Sequence, residues 1–297
     1  MVAHEVRFPI RRVLFPVDFS ERCTGAARYV EAIAGRLNAE VILLHVAMPP
    51  YGAYGPADAT YIGGAEEYIE LARRMGEQEL AGYLKEETAF LNVRRMVRVG
   101  LAAEQIVEVA RQEQVDLIML PTHGRGGFRR FLLGSVAAKV LDDAPCPVWT
   151  GTHLEDAPPM ETIGIHRIVC AVDLNEEGVN VLRFAGQLAH ETDAEIRIVH
   201  ALPPVKPTDL VGADEDLLEG LREAVRADIG RMMERAGLRA PVELEFGEVP
   251  QTIRCAAKRH RADLVVVGRK QEHPHGGFLR AHGYAIVREA TCPVLSL

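Results

Sequence analysis

The sequence predicts an α/β chain of two repeated, doubly wound domains, each a five-stranded parallel sheet flanked by helices. Three observations predict it. Blocks of sequence recur in the same order in the two halves of the 297 residues. Short apolar runs rich in β-branched residues alternate with longer stretches of helical period. Those runs also lack in/out alternation, as expected of strands covered on both faces.

The elements follow in order. Arg12-Val13-Leu14-Phe15-Pro16-Val17-Asp18 is a first strand and returns 155 residues later as Arg167-Ile168-Val169-Cys170-Ala171-Val172-Asp173. Behind it, Ser20 stands where an N-cap belongs, and Ala26, Val30, Ile33, Ala34 and Leu37 form one stripe at helical spacing. The strand Ala39–His45 returns at the same offset as Ala194–His200, each followed shortly by a Pro-Pro pair. In the second half, Leu218, Leu221, Val225, Ile229 and Met232 form a further helical stripe. Val115–Leu120 matches Ala262–Val267 at offset 147, and Cys146-Pro147-Val148 matches Cys292-Pro293-Val294 at offset 146. The last match opens a closing strand in each copy, Cys146–Thr150 and Cys292–Leu297. The order is therefore strand–helix four times and then a strand, twice, and right-handed crossovers leave few other topologies. Gly151 to Gly164, with Pro158-Pro159, reads as the connection. The domains are placed at 1–153 and 165–297, with a linker at 154–164. Apolar closing strands at sheet edges are templates for pairing, so the two halves are expected to pack through them as an intramolecular pseudo-dimer; a homodimer is also open.

Composition narrows the function. With 48% hydrophobic and 26% charged residues the chain is not disordered, and at about 150 residues per domain each copy can bury a core. A net charge of −8 argues against nucleic acid or an anionic membrane as partner. The clean apolar runs, such as Val41–Leu44 and Leu264–Val267, fall far short of the roughly 20 residues that span a bilayer. Met1–Arg12 has no signal-like apolar region, so a cytoplasmic protein is expected. The five cysteines are widely spaced, with no C-x-x-C pair, and are expected to be buried free thiols rather than disulfides or zinc ligands.

In a doubly wound sheet, ligands bind beyond the carboxyl ends of the strands. In the first copy, strand 1 ends in Pro16-Val17-Asp18-Phe19-Ser20. Strand 4 ends in Pro121-Thr122-His123-Gly124-Arg125-Gly126-Gly127 and runs on to Gly134-Ser135-Val136 at a helix start. A glycine-rich loop at a helix N-terminus lets backbone N–H groups approach an anion, and the helix dipole favours negative charge there. Ser135 adds a hydroxyl, and Arg125, Arg129 and Arg130 add positive charge to an acidic chain. Phosphate is the natural guest. No P-loop, G-x-G-x-x-G turn or G-x-S-x-G elbow is present, and no nucleophile–base–orienter set assembles, so a binding module leads over an enzyme. His45 and His200 end equivalent strands and are expected to be satisfied structural groups. His273, His275 and His282 are expected to be solvated loop histidines rather than metal ligands; Pro274 restricts the geometry.

The first copy resembles the universal stress protein family, and the duplicated chain looks like its tandem-domain members over nearly its whole length. The family's ATP-binding members carry Gly, two residues, Gly, nine residues, then Gly-Ser or Gly-Thr. Gly124, nine residues and Gly134-Ser135 fit, whereas Pro121 replaces the leading glycine and has no N–H to donate. The resemblance implies a Rossmann-like fold and ATP, or another adenine nucleotide, as ligand. It implies that Asp18 and the Val46 backbone hold the adenosine part, and that Gly124, Gly134, Ser135 and Val136 hold phosphates. Pro16, Val17, Pro121, Thr122, His123, Arg125 and Gly127 complete the expected lining. Mg²⁺ is expected with the triphosphate, held mainly by phosphate oxygens and water. The second copy keeps Asp173 and Gly268, but has Gln271 at the next glycine position and no Gly-Ser pair. It is expected to be a degenerate structural copy. The chain thus reads as a nucleotide-responsive stress or signalling factor with its nucleotide in the first half only. Slow ATP hydrolysis or self-phosphorylation at the same cradle, and a nucleotide-free scaffold, are the alternatives.

Overall fold

A computed structural model describes residues 8–48, 65–121, 133–151, 163–204, 215–269 and 278–297. The first repeat runs β1 (Arg12–Val17), α1 (Glu21–Leu37), β2 (Glu40–Ala47), α2 (Ala65–Gly82), β3 (Val93–Val99), α3 (Ala102–Gln112), β4 (Leu117–Pro121), α4 (Ser135–Asp143) and β5 (Val148–Gly151). The second runs β6 (Arg167–Ala171), α5 (Glu176–Thr192), β7 (Glu195–Leu202), α6 (Glu215–Ala236), β8 (Val242–Phe246), α7 (Val249–Arg259), β9 (Leu264–Val267), α8 (Phe278–Glu289) and β10 (Val294–Ser296). The strand orders are β3-β2-β1-β4-β5 and β10-β9-β6-β7-β8, and the strands pair in parallel. This is the expected doubly wound pattern in both repeats. The chain divides into two compact units that follow the repeats, with a boundary inside β5 between Val148 and Trp149.

The central strands are buried along their length. Val13, Leu14 and Phe15 of β1 and Val41 to Leu44 of β2 are all 0% exposed. Helices cover both faces of these strands, which is why their sequences are continuous apolar runs. At the opposite extreme, β3 is half-buried throughout and carries Arg94, Arg95 and Arg98. Charge on an edge strand keeps it from pairing with another chain.

Local chemistry sets the helix ends alike in both repeats. The Ser20 hydroxyl accepts from the Cys23 N–H at the start of α1, and the Asn175 side chain accepts from the Gly178 N–H (2.8 Å) at the start of α5. Asn38 and Asp193 close these helices in the left-handed region, which short polar side chains tolerate. At the amino end of the sheet, Asp116 accepts the N–H groups of Arg11 and Arg12, as Asp263 accepts those of His166 and Arg167, at 2.8–3.0 Å. A residue preceding the fourth strand thus ties down the start of the first.

The helical stripes hold with three departures. Ala26, Val30, Ile33 and Ala34 are buried but Leu37 only half so; Val225, Ile229 and Met232 are buried but Leu218 is half-buried and Leu221 is 42% exposed. The cysteines correct one expectation. Cys23, Cys170 and Cys292 are buried and Cys146 half-buried, whereas Cys255 is exposed on α7. It lies on the outer side of a helix whose buried face is Val249, Thr252, Ile253, Ala256 and Ala257. No described helix is long and apolar enough to cross a membrane.

Candidate functional site

The hydrogen-bonded ladder between β1 and β4 ends early in the first repeat. β1 pairs with β2 from Arg12↔Glu40 to Val17↔His45, but with β4 only at Val13↔Leu117 and Leu14↔Ile118. In the second repeat, β6 and β9 pair from Ile168↔Leu264 through Ala171↔Val267. Ala171 is the counterpart of Pro16. A proline has no N–H for the ladder, so the pairing in the first repeat ends two residues sooner. Pro121, half-buried, ends β4 on the other wall.

Beyond Val17, the turn into α1 is held by Asp18. Its Oδ1 accepts the Ser20 N–H (3.1 Å) and the Cys23 thiol (3.0 Å). Burial, reinforced by the Asp18 charge, pushes the Cys23 thiol up to about 12, so it stays protonated and acts as a donor. Between them Phe19 takes φ 62, the left-handed region that a bulky residue rarely adopts. That backbone turns its ring onto His45 (centroids 4.4 Å apart) and edge-on to Tyr83 (5.0 Å). The Tyr83 hydroxyl in turn bonds the Ser20 carbonyl at 3.3 Å. Burial raises this phenol to about 12, keeping the proton it donates. His45 is the structural group expected: its Nδ1–H donates to the Val17 carbonyl (3.0 Å), as His200 Nδ1–H donates to Val172 (2.8 Å). Val46 follows it, half-buried near the end of β2.

On the far side of the crevice, Gly134 is the N-cap of α4, with extended backbone and no side chain capping the helix. Ser135 and Val136 in the first turn are exposed, Val136 by 39%. First-turn N–H groups and the positive end of the helix dipole are thus presented outward. Thr122, His123, Gly124, Arg125 and Gly127 lie outside the described residues, as do Gln271, His273 and His275. His282 lies in α8. Three residues of this site escaped sequence reading. Phe19 sits beside Asp18 in the chain, but its left-handed turn has no local signal. Cys23 reads as a generic buried thiol. Tyr83 is brought in from beyond α2 by the fold alone.

Fold and site together define a tandem pair of doubly wound α/β domains, the first with a glycine N-cap at the start of α4 and a short β1–β4 ladder. The chain belongs to the universal stress protein family, whose model matches residues 9–150 and again 164–297. It is 32% identical over 140 residues to a universal stress protein of Methanocaldococcus jannaschii, covering 46% of this chain and 79% of that one. The crystal structure of a universal stress protein from Archaeoglobus fulgidus covers 97% of this chain and 98% of its own, with TM-score 0.69 and 20% identity; that likeness concerns the fold. A universal stress protein in complex with cAMP also matches, at 19% identity over 45% of this chain and 96% of that one, with TM-score 0.33. That likeness is too low to bear on this chain's own ligand.

Proposed function

We propose that the first repeat binds an adenine nucleotide, ATP, as a nucleotide-responsive stress or signalling module, and that the second repeat holds none. The observation that carries this is the open start of α4. Gly134 offers no side chain, no side-chain cap bond is made at this N-cap among the described residues, and the β1–β4 ladder stops short of Pro16. Phosphate oxygens would accept from the first-turn N–H groups and the Ser135 hydroxyl, with Val136 in the same turn. Thr122, His123, Gly124, Arg125 and Gly127 supply the rest of the cradle, and Pro121, which has no N–H to donate, lines it. Asp18 and the Val46 backbone would hold the adenosine part, with Pro16 and Val17 lining the approach. Mg²⁺ would arrive with the triphosphate and keep mainly phosphate and water ligands.

Calorimetry with ATP and Mg²⁺ tests this. One nucleotide per chain is expected. Gly134→Val combined with Ser135→Ala should cost about 1–3 kcal/mol for each phosphate hydrogen bond lost, or roughly tenfold in affinity per bond. Gln271→Ala should change nothing. Two equivalent nucleotides per chain, or full binding after the double change, overturns the assignment. Stoichiometric retention of ATP fits a module; multiple turnovers would make the protein an enzyme. Affinity unchanged by chelator would remove the metal.

A further inference from the structure

Helix α2 carries two apolar faces, and its own repeat covers only one of them. The inward face is Gly76 and Leu80, both buried. Tyr68, Leu71 and Met75 stand on another side at i, i+3 and i+7, and are 50%, 53% and 61% exposed. The equivalent helix of the second repeat, α6, exposes only Leu221 among its described large apolar side chains. The fold itself therefore does not ask for apolar residues on the outside of this helix.

The register explains the exposure. A Cβ at Gly76 would lie 3.1 Å from His45 and 3.1 Å from Val97, which are partners in the β2–β3 ladder. The two strands run on from that level only to Ala47 and Val99, roughly 7 Å, whereas α2 reaches back from Gly76 to Ala65, about 16 Å. The first turns of α2 thus extend past the strands that cover its later turns.

The order of side chains identifies what covers the outer face. Glu67-Tyr68 stands about one turn before Leu71, and Arg74-Met75 about one turn after it. Glu67 and Arg74, two turns apart, share one flank of the face. In an antiparallel pair of these helices the same flank of each copy meets. A two-fold axis at Leu71 then sets Tyr68 against Met75 and Glu67 against Arg74, each contact made twice. Arg74 is 69% exposed and bonds Glu70 of its own helix at 2.9 Å, an i,i+4 pair weak enough to be shared. We propose that this face is the interface of a homodimer in which two chains pair α2 against α2, antiparallel. Three side chains form its centre, a small interface of the reversible kind, so a dissociation constant in the micromolar range is expected. The pairing does not depend on the nucleotide assigned to the first repeat.

Sedimentation velocity of the full chain without nucleotide, from about 1 to about 200 µM, tests this and should show a monomer–dimer equilibrium. Leu71→Glu brings two carboxylates together at the axis and should weaken the dimer at least about tenfold. Glu67→Arg and Arg74→Glu each set like charges opposite one another and should weaken it severalfold; combined, they should restore it. Unfolding temperatures report whether the variants fold, and should Leu71→Glu fail to, the charge exchange decides alone. A monomer at every concentration would overturn the proposal, whether Leu71→Glu destabilises it, as when another part of the chain covers the face, or it co-sediments with phosphatidylcholine vesicles. A dimer unmoved by Leu71→Glu in folded protein, or a double exchange no better than the single ones, would overturn it equally.

Discussion

At Asp18, one carboxylate oxygen collects a backbone N–H and a buried thiol, while in the second repeat the residue facing Asp173 has no side chain at all. Equivalent turns can therefore have opposite tolerance. Gly178→Ala should destabilise the protein by about 2 kcal/mol or more, because the clash is with backbone that cannot step aside. Cys23→Ala, which removes a half-sized donor and leaves a small void, should cost less, about 1 kcal/mol. Urea unfolding of the two variants checks the order. A second residue-scale expectation concerns acid. Arg12, by hydrogen bond first, and then Arg94 hold the Glu40 carboxyl below its usual value of 4.5. A depressed folded-state pKa means stability present above about 4.5 and lost as pH falls through the folded value. Glu40→Gln should cost ~1 kcal/mol at pH 7, and its difference from the parent should shrink toward about pH 3. Melting temperatures across that range measure it; a constant difference would show that Glu40 acts through packing instead.

Among the elements, the strands divide by how their surroundings wrote them into the sequence. β1, β2, β4, β6 and β9 are legible as apolar runs because helices cover both of their faces. The third strands are not: β3 is half-buried and arginine-rich, and β8 reads Val-Glu-Leu-Glu-Phe, so neither offers such a run. Their existence follows only from the need for a fourth crossover. The length of the β1–β4 ladder is also an element-scale matter. Pro16→Ala restores the missing N–H and should let β1 and β4 pair through the positions that β6 and β9 use. Stability should then hold or rise by up to about 1 kcal/mol, while nucleotide affinity falls severalfold. Unchanged affinity in calorimetry would separate the crevice from the ladder.

For the whole molecule, duplication has kept the scaffold and let the two ligand-facing ends diverge. The shared parts are those that any such sheet needs: N-caps at Ser20 and Asn175, left-handed closures at Asn38 and Asp193, and the histidine–carbonyl bonds of His45 and His200. The diverged parts lie beyond the strand ends. The apolar closing strand of the first repeat carries a prediction at this scale. Expressed alone, Met1–Thr152 would present that strand as an uncovered edge and should self-associate at micromolar concentration, as sedimentation would show. A stable monomer would mean that the edge needs no partner.

The repeat, the strand–helix alternation, the strand ends and the glycine–serine helix start were all determined by the sequence itself. Each rests on residues close in the chain or on a pattern of fixed period, and those survive without knowledge of the fold. Only the tertiary structure decided that Phe19 turns left-handed onto His45 and Tyr83, that the β1–β4 ladder stops at Leu14, and that Leu221 faces a cleft instead of the core. Those outcomes depend on which side chains meet across the sheet from distant parts of the chain. Periodicity assigns a residue to a face, but what that face meets is set by packing.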